Sequence, residues 1–364
     1  MAGRPGVTVA RQAQRVVPGV STDTGTAFII GLCDAGSTAS YELIESMDDY
    51  ESAYSDTANL LYDSVETFFG EDGSRCYVVR VADTDLDADW LAALDLLSAE
   101  LGPGQVLAPG ESTAVRHGQL LTHAADNNRV ALIDSDEDDD AAAVAATAAA
   151  ASVLSDADRG MLTSQWLDLP ERTAGVPRTV PPSPVVAGLC ARLGDQPNVW
   201  PIGPRGLLNF ATSVTVEFTD AERTTLTSAG ANVILDDPNG LRLYGFRGVS
   251  EDELYQDFGI SRLIMRVEAE GRAIAEQYVG SRITNETIGA FGAALEGFMQ
   301  GLYVDGALFG DTAADAYRVA TDSPVNTAAT AAAGEINAEV YVRGAGHAEL
   351  VRITTVSVPV NGNV

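Results

Sequence analysis

Apolar residues along this chain follow two kinds of pattern, and the kind changes near residue 180. Before that point, short and wholly apolar runs alternate with stretches of helical spacing. TAFIIGLC (26–33), RCYVVRVA (75–82) and RVALIDS (129–135) are too short for helices and apolar throughout, which predicts strands buried on both faces. Helices are predicted at 47–54, at 59–69 with Leu60, Leu61, Val65, Phe68 and Phe69 at helical spacing, at 89–101 and at 113–127. Further strands are expected at 105–110 and 164–169. Strand, helix, strand over 26–82 predicts a parallel pair, and the continued alternation an α/β layer.

PERTAGVPRTVPPSP (170–184) breaks this rhythm and is the best candidate for a domain boundary. After it, VVAGLCARLG (185–194) reads as helix and SVTVEFT (213–219) alternates. ANVILDDPNGLRLYGFRGV (231–249) reads as two strands about a DPNG turn. Long helices are predicted at 260–282 and 285–302, the second with Ile288, Phe291, Leu295, Phe298, Met299 and Leu302 on one face. EINAEVYVRGAG (335–346) and AELVRITTVSVPV (348–360) alternate and predict a closing hairpin. Residues 1–22 are polar, with Pro5 and Pro18, and read as an extended arm. The expectation is an α/β and α+β protein: an arm at 1–22, an α/β domain at 23–180, an α+β domain at 181–348 and a terminal strand or arm at 349–364.

Charge narrows the function. Asp and Glu total 52 against 22 basic residues, a net charge of −30, and every one of those basic residues is Arg. Without Lys there is no P-loop lysine, Schiff-base lysine or kinase-type lysine. So acidic a chain is unsuited to a nucleic-acid backbone or an anionic membrane surface. The excess reads either as a solubilising surface or as adaptation to molar salt, where the screening length falls to about 3 Å. The N-terminus carries Arg4, Arg11 and Arg15 but no apolar core, so no secretory signal is expected. The Ala-rich run 141–151 is too short and weakly apolar to span a bilayer.

Familiar catalytic patterns do not assemble. Cys33, Cys76 and Cys190 lie far apart in apolar runs, which predicts buried free thiols. His117 and His123 are six apart and do not share a helix face as i, i+4 ligands do. Asp134, Asp136 and Asp138 resemble the start of a calcium loop, but Asp139 stands where that loop needs Gly and Ala145 where it needs Glu. GxSxG and GxGxxG are both absent. No cofactor, metal or enzymatic activity is expected.

Three segments, in order, carry a resemblance. The first covers 19–82, with Phe28 in its opening strand, the pair Phe68 and Phe69 closing a helix, a Gly turn, and YVVRV with Arg80. The second, 179–204, begins with Pro181 and Pro182. The third contains Asn232, Gly245 and Arg247, followed by Arg262 with Leu263 at a helix start. Together they resemble the tail sheath family of contractile phages, R-type bacteriocins and contractile injection systems. The resemblance covers nearly the whole chain, although 86–160 matches only in general α/β character. The sequence also departs from the family at Pro184, where Gly is frequent, and at Pro201 and Ile202, where Lys is usual after the Trp.

The resemblance implies stacked hexameric rings around an inner tube, with an outer α/β domain and an inner α+β C-terminal domain. It implies that N- and C-terminal arms add strands to a third subunit's sheet. Here the arms would use Val7, Thr8 and Val9, and Val351, Ile353, Val356 and Val358. A helix of the C-terminal half, 285–302, would face the tube. The implied partners are copies of the chain itself, an inner tail tube protein, and baseplate and tail terminator proteins, with no nucleic acid and no membrane insertion. The particle would be a virion tail or injection system assembled in the host cytoplasm. Frayed termini, and a soluble α/β enzyme or binding module, stand as alternatives. If the acid excess is a salt adaptation, the thermal midpoint rises from dilute buffer to molar potassium chloride; scanning calorimetry that shows an equal or lower midpoint in salt removes that reading.

Overall fold

The computed structural model describes residues 21–55, 59–82, 86–193, 202 and 205–347. Its centre is an eight-stranded sheet in the order β11-β10-β6-β5-β4-β1-β3-β2. The parallel core comprises β1 (Ala27–Leu32), β3 (Cys76–Val81), β4 (Gly104–Leu107), β5 (Arg129–Asp134) and β6 (Gly160–Thr163), with β10 (Ala231–Asp237) joining β6 in the same sense. Two antiparallel strands close the edges, β2 (Glu42–Ile44) on β3 and β11 (Gly240–Tyr244) on β10.

Both faces of this sheet are covered, which is why its strands are apolar at consecutive positions. Ala27, Ile29, Val130 and Leu132 point into one core, where α1 (Met47–Tyr54), α2 (Leu60–Gly70) and α6 (Pro182–Leu193) supply Tyr50, Val65, Phe68 and Leu189. Phe28, Ile30, Ala131 and Ile133 point into the other. There α3 (Asp87–Leu96), α4 (Ala114–Asp126), α5 (Ala141–Ser152) and α7 (Asp220–Ser228) supply Trp90, Leu121, Val144 and Leu226. The helix starts are capped as their sequences suggest: Asn59 accepts from Tyr62 N–H, and Asp140 at the end of the acidic run accepts from Ala142 and Ala143 N–H.

The Pro-rich segment is not a free linker. Arg178 reaches Asp63 at 2.7 Å and also pairs with Glu66, while Arg172 reaches the same carboxylates at 3.2 and 3.0 Å. The segment is thereby fastened along α2. A small antiparallel sheet of β7 (Leu167–Asp168), β8 (Thr179–Val180) and β9 (Ser213–Val214) pins its ends. Beyond it, α6 packs on α2, and β10 and β11 return to the main sheet beside β6. The division expected at 180/181 therefore falls inside the α/β body, because proline there shapes a surface crossing rather than a hinge.

Other expectations shift for local reasons. The strand expected over 164–169 shrinks to the two-residue β7 in the small sheet, while the strand of the main sheet, β6, precedes it. SVTVEFT contributes only Ser213–Val214. The helix expected to reach residue 282 is α8 (Phe258–Glu276), which ends in turns leading to Gly280 at φ +81°. After it come α9 (Asn285–Val304), α10 (Ala313–Ala316), β12 (Tyr317–Ala320), α11 (Ala328–Ala333) and β13 (Glu339–Val342). The partner of β13 is β12; the 348–360 half of the expected hairpin lies outside the described residues.

A buried cation holds the sheet's second core together. Arg129 is fully buried in β5, with its guanidinium 3.5 Å over the Phe28 ring. It donates to the carbonyls of Leu97 at 2.7 Å, Ser98 at 2.8 Å and Gly102 at 3.2 Å, and Nη1 lies 2.7 Å from His123 Nε2. Burial lowers its pKa to about 9, which leaves it charged at neutral pH, and burial with the Arg129 charge lowers His123 to about 3. Arg129→Ala would strand three buried carbonyls, so urea denaturation should show a loss of about 3 kcal/mol or more; a loss under about 1 kcal/mol would mean that the carbonyls find other donors.

Candidate functional site

A smaller C-terminal unit is built on α8 and α9, whose facing side chains Leu263, Met299 and Leu302 make a small third core with Leu308. β12 and β13 lie on it as an antiparallel pair, Tyr317 opposite Val342 and Val319 opposite Val340. These four side chains pack onto the helices. On the other face the Arg318 guanidinium sits 4.0 Å over the Tyr341 ring, and Tyr341 Oη donates to Glu339 at 2.7 Å. A two-stranded ribbon is marginal alone and depends on such packing. Among the described residues neither strand has a second β-partner, so both offer edge N–H and C=O groups. Past Val342 the edge of β13 is taken up, since Phe309 N–H donates to Arg343 O and Ala345 N–H to Ala307 O, both at 2.9 Å.

The chain passes from the α/β body to this unit through a polar junction. Asn232 Nδ2 donates to the carbonyls of Leu162 at 2.9 Å and Arg247 at 2.8 Å, while Oδ1 accepts from Arg247 N–H at 2.7 Å. One buried amide thus ties β10 to β6 and to the turn leaving β11. Gly245 makes that turn at φ +130°, where a Cβ would stand 2.9 Å from Asn232 Oδ1, so a side chain is excluded twice over. The chain then doubles back: Gly248 N–H donates to Gln256 O and Phe258 N–H to Phe246 O, both at 3.0 Å, delivering it to the start of α8.

Of the residues singled out from sequence, Asn232, Gly245 and Arg247 meet at this junction. Arg262 is one turn into α8 and buried. The others are spread through the body. Phe28 is in β1 and Phe68 in α2, both fully buried; Phe69 is half-buried, its ring 5.4 Å from that of Phe68. Arg80 in β3 donates to the carbonyls of Cys33 and Gly36, and Pro181 and Pro182 lead into α6. Val7, Thr8, Val9, Val351, Ile353, Val356 and Val358 lie outside the described residues. Strand β12 was missed from sequence because YRVA is four residues long. Asp257 was missed because a single Asp before a helix reads as an ordinary cap.

One cluster has the residue types of a hydrolase without its geometry. Asp134 accepts from Ser183 Oγ at 2.6 Å, Ser183 N–H at 2.9 Å and Gly110 N–H at 3.2 Å, while His117 Nε2 meets the Asp134 carbonyl at 3.0 Å. Asp134, Ser183 and His117 are each at most 2% exposed, and His117 contacts Asp134 through the main chain. Burial pushes Asp134 up to about 7 against three donors that pull it down, and burial lowers His117. The cluster caps α6 from the end of β5 and presents nothing to a substrate. The three cysteines are free and buried. Among the described residues no group of three His, Cys, Asp or Glu side chains could hold a metal ion, and no helix is long and apolar enough to cross a membrane.

The junction makes a direct test. Asn232→Ala leaves two carbonyls and an N–H without their partner, and guanidinium denaturation should show a loss of about 2–4 kcal/mol. A variant within about 0.5 kcal/mol of the parent would show that the junction does not depend on this amide.

No protein-family model and no curated sequence matches the chain. Solved structures do. The contracted helical sheath of the anti-feeding prophage aligns with a TM-score of 0.77 at 20% identity, covering 98% of this chain and 100% of that one. The contracted sheath complex of PVC, an extracellular contractile injection system, aligns with a TM-score of 0.77 at 18% identity, covering 98% of each. A crystal structure of a sheath tail protein from Desulfitobacterium hafniense aligns with a TM-score of 0.61 at 10% identity, covering 87% of this chain and 93% of that one. From β1 to β13, this chain has the fold of the contractile sheath proteins.

Proposed function

We propose that this chain is the subunit of a contractile sheath, polymerising as stacked hexameric rings around an inner tube and shortening to drive that tube through a target envelope. The observation that carries the proposal is the β12–β13 ribbon with its open edges, in a chain whose fold matches sheath proteins over 98% of its length. A strand added to such an edge gains main-chain hydrogen bonds with little demand on sequence. The β-capable segments at Val7, Thr8 and Val9, and at Val351, Ile353, Val356 and Val358, are the strands that neighbouring copies would add. Contacts of this head-to-tail kind close into a ring where the rotation between copies allows it and otherwise propagate as an open helix, so together they build stacked rings.

In this reading the eight-stranded α/β body is the outer layer, and α8, α9, β12 and β13 form the inner mesh. The exposed face of α9 turns toward a tube protein, and the ends of the assembly meet baseplate and terminator proteins. Contraction is rigid-body rearrangement of subunits held by their arms, running from a strained extended state to a compact one. No step requires a cofactor or an enzymatic site. The particle is a virion tail or an injection system built in the host cytoplasm.

Negative-stain microscopy of the purified chain, in molar salt and in dilute buffer, tests the proposal. Hollow tubes are expected from the full chain, and their loss is expected on deleting residues 1–19. A closed dimer that forms no tubes in either buffer, alone or with its tube protein, would overturn it.

A further inference from the structure

Beyond β13 the chain is laid against the first turn of α8. A Cβ at Gly344 would meet Ile260 Cδ1 at 2.4 Å, and one at Gly346 would meet Asp257 Oδ2 at 3.1 Å, so a side chain at Gly344 would have to push the Ile260 side chain aside and little room is left at Gly346. The run ends at His347, whose N–H donates to Asp257 Oδ2 at 2.9 Å and whose Nδ1 lies 3.0 Å from the same oxygen. Both side chains are sheltered, at 7% and 18% exposure. Asp257 divides its carboxylate: Oδ1 caps α8 by accepting from Gly259 N–H at 2.9 Å, and Oδ2 holds His347. The main chain of Asp257 also forms an antiparallel β-bridge with that of Arg247, at the junction with the α/β body.

We propose that the Asp257–His347 pair is the anchor of the C-terminal arm, passing tension from the arm into α8 and the α/β body instead of into the β12–β13 ribbon. The proposal rests on the arm reading given above and adds where the load enters. The argument compares two routes. Tension that reached β13 first would peel a four-residue pair, one hydrogen-bonded step at a time. Tension stopped at His347 is passed to the N-terminus of a helix locked to the body at three points. Arg159 grips Glu268 through both carboxylate oxygens, at 3.1 and 2.9 Å. Asn128 Nδ2 donates to Met265 O at 3.0 Å, and Ser261 Oγ donates to the Asp158 carbonyl. Charge-assisted hydrogen bonds to one carboxylate are the stronger kind, which suits a fixed point.

The experiment uses the full chain carrying Asp257→Asn, His347→Gln or both, beside a chain lacking 349–364. In the unassembled subunit, hydrogen exchange at the His347 amide is expected to speed up roughly tenfold or more in Asp257→Asn, the loss of a hydrogen bond to a charged group. Exchange within β10 and the global melting midpoint, which a folding defect would move, should stay near wild type. In tubes, each single variant should still assemble but contract or shed rings at a lower temperature, and the double variant should be no worse than the weaker single. Wild-type exchange at His347, or unchanged contraction temperatures while the 349–364 deletion abolishes tubes, would overturn the anchor and leave the arm reading standing. Tubes unaffected by the deletion would overturn the arm reading itself.

Discussion

Helix α8 belongs to two hydrophobic cores at once, and the rest of the molecule is arranged around that constraint. Phe258 and Met265 pack into the core beneath the eight-stranded sheet, while Leu263 packs with Met299 and Leu302 under the ribbon. A helix is stiff on the scale of its own length, so sharing one between two cores fixes their separation and orientation without a large interface between them. The Asn232 junction guards its entry and the Arg159–Glu268 pair its flank. A ribbon held this way is a ledge: it is rigidly carried by the body yet, among the described residues, open along its edges.

The charge distribution follows the same division of labour. Many guanidinium groups are used internally. Arg129 holds carbonyls, Arg178 and Arg172 fasten the Pro-rich crossing, and Arg192 joins two main-chain N–H groups around the buried carboxylate of Glu71. Burial raises Glu71, while those donors oppose the shift. With 52 acidic residues against 22 arginines, several of them engaged internally, the surface of this chain is predominantly acidic. Copies of such a surface repel one another in dilute solution, and salt screens that repulsion. Main-chain pairing at a sheet edge is indifferent to side-chain charge, so it can join copies that would otherwise stay apart.

Much of this was legible in the sequence. The buried strands at 27–32, 76–81 and 129–134 declare themselves because a strand covered on both faces must be apolar at every position, and α2, α4 and α9 because one helix face must be. The free thiols, the lack of a lysine-based site and the paired strands about the DPNG turn follow from residue identity and local geometry. The resemblance to sheath proteins rested on the order of several weak segments, and the fold agrees with it from β1 to β13.

Tertiary structure alone decided the rest. Pro170 to Pro184 looked like a boundary because proline and glycine mark where regular structure stops. Whether such a segment is a hinge or a strap depends on Asp63 and Glu66, more than a hundred residues away in sequence. The partner of β13 could not be read either: YRVA is too short to stand out in the sequence, and only packing on α8 and α9 brings Tyr317–Ala320 beside it. Asp257 carried no signal, because its second oxygen acquires a purpose only when His347 is folded back onto it. Local pattern determines which elements form, since propensity and periodicity act over a few residues. Which elements meet is settled by contacts that exist only once distant parts of the chain are brought together.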